Sequence, residues 1–210
     1  MSENSGESIF VKVRTRLQMY RQKYVEKYVI PPYDEKRRII REYKDKYGLN
    51  IFIESGTFLG DTIEEFKKDF KQLFSIELSK DLAEKASKRF GADRHIQIVN
   101  GDSGKEIANI LRSIHEPCLF WLDGHYSSEF FIGTDYIVTA KGEKDTPIIE
   151  ELKSILSHEI KNHVILIDDA RYFTGKTDYP SLSEITAFVK RYNPKAVIVK
   201  KRDLIRIAFS

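Results

Sequence analysis

Cysteine is almost missing: Cys118 is the only one in 210 residues. An internal disulfide framework is therefore excluded, and a reducing compartment fits. No apolar run approaches the roughly 20 residues that a membrane helix needs. The opening "MSENSGESIF" lacks the charged-then-apolar pattern of a signal segment. The cytoplasm is the expected location, and no membrane partner is expected. Internal repeats and low-complexity segments are absent as well. What is present suits one domain with a sizeable core, since 41% of the residues are hydrophobic and 12% aromatic.

Charge is nearly balanced at +3, but unevenly spread. Residues 1–50 hold 12 Lys/Arg against 7 Asp/Glu, and the remainder holds 23 against 25. A basic arm attracts phosphates or acidic lipids. Acids are interspersed throughout it, so a solvated helical face is the plainer reading. Leu17, Tyr20, Tyr24 and Tyr28 recur at helical spacing over residues 15–28. "IPPYD" breaks that helix, Asp34 is expected to cap a second, and Gly48 to end it. Ile40, Tyr43 and Tyr47 form the apolar stripe of the second helix. Residues 1–48 thus read as an N-terminal helical extension, and 49–210 as the main domain.

Beyond Gly48 the rhythm changes. "NIFIE", "LFSIE", "HIQIV", "CLFWLD" and "HVILID" read as strands, with helices expected over 61–71, 79–90, 103–114, 147–158 and 181–192. Alternating strand and helix implies a parallel sheet covered on both faces. "AVIVKKRDLIRIAF" closes the chain as two strands joined by a turn too short for a parallel crossover, so the last strand must run antiparallel. Residues 124–146 read as a long structureless loop, a length that is usually functional or disordered.

Ligands bind at the carboxyl ends of the strands in an open parallel sheet. Those ends carry Glu54, Glu77, Asp102, Asp123 and the pair Asp168–Asp169, so five consecutive strands deliver an acid to one edge. One acid there is an ordinary loop or cap residue; the series is not. The first turn, "ESGTFLGD", is E-x-G-x-x-x-G rather than the dinucleotide fingerprint G-x-G-x-x-G. Its acid would repel a pyrophosphate and welcome a cation. Glu77 is spaced to accept from both hydroxyls of a ribose, and Asp102 with Ser103 to reach an adenine amino group.

From Asn50 onward the chain resembles a class I S-adenosylmethionine (SAM)-dependent methyltransferase. "FIESGTFLGDT", "LFSIELS", "VNGDS" and "FWLDGH" match that family's first four motifs in order. The resemblance implies an α/β Rossmann-like fold with a seven-stranded, mostly parallel sheet whose last strand is antiparallel. It implies that Glu54, Gly56, Thr57, Gly60 and Thr62 line the methionine side of SAM. Glu77 would hold the ribose, Asp102 and Ser103 the adenine, and Asp123 would border the cofactor.

Within the family, a metal-dependent O-methyltransferase branch places one aspartate after the fourth strand and an acidic pair after the fifth. Asp123, Asp168 and Asp169 resemble that set. Three clustered carboxylates raise one another's pKa unless a cation sits among them, and hard oxygen ligands point to Mg²⁺. Catechol-type members differ in having Asp-Asn at the pair and a lysine after the fourth-strand aspartate; the sugar-modifying enzymes, with a histidine base, are closer. His125 is the candidate general base beside Asp123. Arg171 pairs with the acids, orients an anionic substrate, or stays a surface cation without a role.

Tyr126, Phe130, Phe131 and Tyr136 in "HYSSEFFIGTDYIVTAKGEKDTP" form either a water-excluding lid or an ordinary hydrophobic cover. "IPPY" is a helix breaker rather than the D/N-P-P-Y loop of amino-methyltransferases, because Ile30 cannot accept a hydrogen bond. The expected activity is O-methylation of a small-molecule hydroxyl, on a sugar or glycosylated metabolite, with SAM and Mg²⁺. Nucleic acid is not the expected partner. The N-terminal helices either cover the cofactor or form a homodimer contact. A nucleic-acid methyltransferase, a non-catalytic SAM-binding module and an NAD-dependent dehydrogenase are the rivals.

Overall fold

Successive residues of the central strands face opposite sides of one sheet, and both sides are covered by helices. In β1 (Ile51–Ser55), Ile51 and Ile53 enter one core while Phe52 enters the other. In β4 (Cys118–Leu122), Cys118, Phe120 and Leu122 divide from Leu119 and Trp121 in the same way. This period-two division with full burial is why these strands read as continuous apolar runs. The structure is a computed structural model that describes residues 31–124, 129–132, 135–138 and 145–209, with the two short middle segments described by backbone alone.

Helix α1 (Tyr33–Tyr47) precedes β1, and α2 (Asp61–Phe66) leads to β2 (Gln72–Glu77). Then come α3 (Lys80–Arg89), β3 (Ile96–Asn100), α4 (Ser103–Leu111) and β4. A ribbon of β5 (Glu129–Ile132) and β6 (Asp135–Val138) follows, then α5 (Ile148–Ser157) and β7 (Val164–Ile167). The chain closes with α6 (Leu182–Tyr192), β8 (Val197–Lys201) and β9 (Leu204–Ala208). The seven-stranded sheet has the order β3-β2-β1-β4-β7-β9-β8. Its first five strands are parallel, and β9 runs antiparallel to both β7 and β8. This is the Rossmann-like α/β sheet that the sequence implied.

One core packs α4, α5 and α6 against the sheet, and the other packs α1, α2 and Phe90 against the opposite face. The α1 stripe of Ile40, Tyr43 and Tyr47 lies on this second core, and Gly48 ends the helix at φ 63°.

Three expectations change. Asp34 does not cap α1: Pro32 is the N-cap and carries no side-chain cap bond, so Asp34 falls inside the first turn, where its charge meets the positive end of the helix. Helix α2 stops at Phe66, short of the expected 71. Residues 124–146 are not structureless, because β5 and β6 pair antiparallel there, from Glu129 with Val138 to Ile132 with Asp135. Two aromatic and β-branched runs separated by two residues are a hairpin signal. The helix expected over residues 15–28 lies outside the described residues.

Candidate cofactor and acceptor site

The order of the sheet reverses between β1 and β4, so the ends of these strands border the crevice where this architecture binds ligands. The ladder is extended past the strand ends by Asp123 N–H donating to the Ser55 carbonyl (3.1 Å) and Asp168 N–H to the Leu122 carbonyl (3.0 Å). Glu54, Glu77, Asp102, Asp123 and Asp168 therefore stand along one edge, as the sequence implied.

Glu54 is only 1% exposed. The Ser75 hydroxyl donates to its Oε2 at 2.6 Å, and Ser75 and Thr57 share a further bond of 2.6 Å. Burial raises the Glu54 carboxyl to about 8, helped by Asp123 and Glu77 and opposed by Ser75 and Thr62. Gly56 turns at φ 87°, and a side chain there would put Cβ 2.7 Å from the Asp123 carbonyl oxygen. Across the crevice, a Cβ on Gly124 would lie 2.9 Å from Ser55. Gly56 meets the Asp123 backbone and Gly124 the Ser55 side chain, so larger residues at either would push the walls apart. Gly60 is the N-cap of α2 at φ 82°.

Glu77 accepts the Phe58 and Ser79 backbone N–H groups at 2.8 and 2.9 Å, one on each oxygen. Each oxygen keeps a second lone pair, so a vicinal diol still finds two fixed acceptors. Asp102 caps α4 through Oδ1, which accepts from Gly104 N–H at 3.0 Å. The Ser103 hydroxyl bonds Glu151, a carboxyl raised to about 7 by burial, and lies 3.3 Å from where a Cβ on Gly124 would sit. His125 lies outside the described residues, as does Tyr126.

Helix α1 supplies two groups to this edge that sequence reasoning missed. Tyr33, although 60% exposed, lies beside Thr62 and within the field of Asp123 and Glu54, and partial desolvation first, then those charges, raise its phenol above the ordinary range. Lys36, one turn on, donates to Asp168 Oδ2 at 2.6 Å and lies 3.9 Å from Asp169 Oδ1. Burial opposes its charge, but Asp168, Asp169 and Asp123 outweigh that, and its pKa lies above the usual lysine value. The signal was present. Lys36 stands four residues before Ile40 on the stripe of Ile40, Tyr43 and Tyr47, so the lysine falls on the inward face, whereas Tyr33 at the helix start is exposed.

Asp168 and Asp169 are not joined by Asp123 in a ligating cluster. Among the described residues, the carboxylates whose oxygens approach within 4.8 Å of one another are Asp168, Asp169 and Asp203. These groups are already engaged. Asp168 Oδ1 accepts the Asp169 N–H at 2.7 Å, and Oδ2 takes Lys36. Arg171 bonds Asp169 Oδ1 at 2.7 Å, reaches Asp203 Oδ2, and donates its backbone N–H to Asp203 Oδ1 at 2.8 Å. A divalent ion would have to displace an ammonium and a guanidinium, so these residues do not fit the Mg²⁺ that the resemblance implied. The adjacent aspartates are tolerated because two side-chain cations hold them. Asp203, fully buried in the β8–β9 turn, was the member that sequence reasoning did not identify.

No family model matches the chain, and no curated protein matches it. Its structure is similar to solved methyltransferases. The Bacillus cereus O-methyltransferase, solved with S-adenosylhomocysteine (SAH), is 12% identical with a TM-score of 0.56, over 92% of this chain and 88% of that one. An SAH-bound methyltransferase of Podospora anserina is 13% identical with a TM-score of 0.54, over 100% and 98%. A SAM-dependent methyltransferase of Clostridium acetobutylicum is 12% identical with a TM-score of 0.53, over 94% and 99%. At such identities the likeness is one of fold: the chain adopts the Rossmann-like fold of class I SAM-dependent methyltransferases.

Proposed function

We propose that the chain is a SAM-dependent O-methyltransferase acting on the hydroxyl of a small molecule, with a sugar or glycosylated metabolite as the acceptor class. The observation that carries this reading is the row of acids at the switch point. Glu54 supports recognition of the methionine ammonium, Glu77 of the ribose diol, and Asp102 of the adenine amino group. Gly56 and Gly124 leave the backbone bare between them.

The acceptor end lies beyond Asp123, next to Asp168 and Asp169. Carboxylates accept hydrogen bonds from a polyol and repel a phosphate backbone, which favours a neutral hydroxylated acceptor over nucleic acid. Transfer is an in-line displacement: the acceptor oxygen bonds to the methyl carbon, the sulfur–carbon bond breaks, and the hydroxyl gives up its proton. Asp123 is the proton acceptor we assign among the described residues, and His125 is the alternative two residues on. Positioning and fixed charges in a water-poor site supply the catalysis.

The test is transfer of label from methyl-tritiated SAM to a panel of sugars, glycosides and phenols, with an RNA arm in parallel. Label on a hydroxyl compound and none on RNA is expected. Label on RNA alone would overturn the acceptor class.

A further inference from the structure

We propose that Lys36 is the resident cation of the acceptor end, occupying the place a divalent ion would take and making this a metal-independent site. The proposal rests on the methyltransferase reading only for the word acceptor; the cation claim stands on the geometry of the cluster itself.

Lys36 Nζ sits 2.6 Å from Asp168 Oδ2 and 3.9 Å from Asp169 Oδ1. Its side chain is 12% exposed, and that of Asp168 is 4% exposed. A third carboxylate, Asp123, adds to the field at the ammonium. Two of the three aspartates that the sequence pattern assigns to a metal, Asp168 and Asp169, thus already have a fixed positive charge beside them. Because burial disfavours each charge alone, the pair is stable only together, and removing Lys36 leaves Asp168 buried without its counter-ion.

The lysine is also held in place from its own helix. Arg37 and Arg41 of α1 reach Glu65 at 3.3 and 2.6 Å, Arg41 reaches Asp69 at 2.9 Å, and Glu35 takes Arg202 from the β8–β9 turn. α1 is thus anchored on both sides, with its first turn over the strand ends. An ammonium presents three donors in a compact point charge. It can hold Asp168 and still offer a hydrogen bond to an incoming hydroxyl, whereas a metal would hold that oxygen by coordination. Acceptor recognition then requires a single hydroxyl and no chelating pair of oxygens.

The experiment is Mn²⁺ binding followed by electron paramagnetic resonance on the full chain, stripped of bound ions. Wild type, Lys36→Arg, Arg171→Met, Lys36→Met/Arg171→Met and Asp168→Asn are compared, with SAH calorimetry on each as an independent measure of the cofactor site. Wild type should show no Mn²⁺ site sensitive to Asp168→Asn. Lys36→Met/Arg171→Met, which frees the carboxylates of both cations, should gain one, tighter by about tenfold or more than in Arg171→Met alone, as expected when a unit charge leaves the side of two carboxylates. Lys36→Arg, which keeps the charge, should exclude Mn²⁺ like the wild type. A wild-type Mn²⁺ site removed by Asp168→Asn would overturn the proposal without any need for the lysine variants to fold. Folded Lys36→Met/Arg171→Met with no Mn²⁺ site would overturn it too. Failure of SAH to bind wild type would instead remove the methyltransferase reading and leave the cation result standing.

Discussion

Replacing Glu54 by Gln should abolish a pH dependence of cofactor affinity that the free protein builds in. Glu54 is 1% exposed, and its carboxyl stands at about 8 rather than 4.5, with burial as the main cause. Near pH 7 it is therefore mostly protonated. The ammonium of SAH, placed beside it, favours the carboxylate, so binding must expel that proton. Below pH 8 affinity then rises by up to tenfold per pH unit, and above pH 8 it levels off. Should the bound carboxyl return to its ordinary range, the gain from pH 6 to 8 is about 50-fold, or about 2.3 kcal/mol, because the free carboxyl is half ionised at pH 8. Calorimetry in buffers of different ionisation enthalpy reads the released proton directly, and about one per SAH is expected at pH 7. In Glu54→Gln the affinity should be flat over this window, with no proton released. A wild-type affinity that does not change between pH 6 and 8 would refute the reasoning. So would a slope that survives in Glu54→Gln.

His163 predicts acid sensitivity at the opposite end of the sheet. Its Nδ1 accepts the Cys118 N–H at 3.0 Å and Nε2 meets His158 at 3.0 Å, and burial lowers its pKa from 6.5 to about 4. A depressed pKa means that the unfolded chain takes up the proton first. The stability it contributes is complete above pH 6.5 and is lost as pH falls to 4, a loss of about 3 kcal/mol that urea unfolding at stepped pH should show. Gly56→Val forces a β-branched residue to φ 87° with Cβ 2.7 Å from backbone. It should cost about 2 kcal/mol or more in denaturant melts and remove SAH binding.

Most of the fold was legible because its signals are local. Apolar pentads separated by amphipathic helices can only become a covered parallel sheet, and the short polar turn before Leu204 forces the final reversal. The strand-end acids were legible for the same reason, since each follows its own apolar run. The partners of those acids were not. Lys36 lies 132 residues from Asp168, and in a basic helix it reads as one solvated lysine among many. Only its position on the stripe shared with Ile40 and Tyr43 marks it as turned inward. Asp203 reads as a hairpin residue, yet it is fully buried because Arg171 bonds it through both backbone and side chain. The sequence pointed to a cation beside these carboxylates but not to its source: a side chain 132 residues away lies beside Asp168. The ribbon of β5 and β6 was missed because a long loop was read by its length and not by its paired aromatic runs.

The central claim is that this strand edge holds SAM. Calorimetric titration of SAH into protein freed of co-purified ligand tests it most directly, with Glu77→Ala as the paired variant. One SAH per chain is expected, with affinity weakened by about tenfold or more in Glu77→Ala, because the ribose diol loses both fixed acceptors. No SAH binding to the wild type, or binding that Glu77→Ala leaves unchanged, would contradict it.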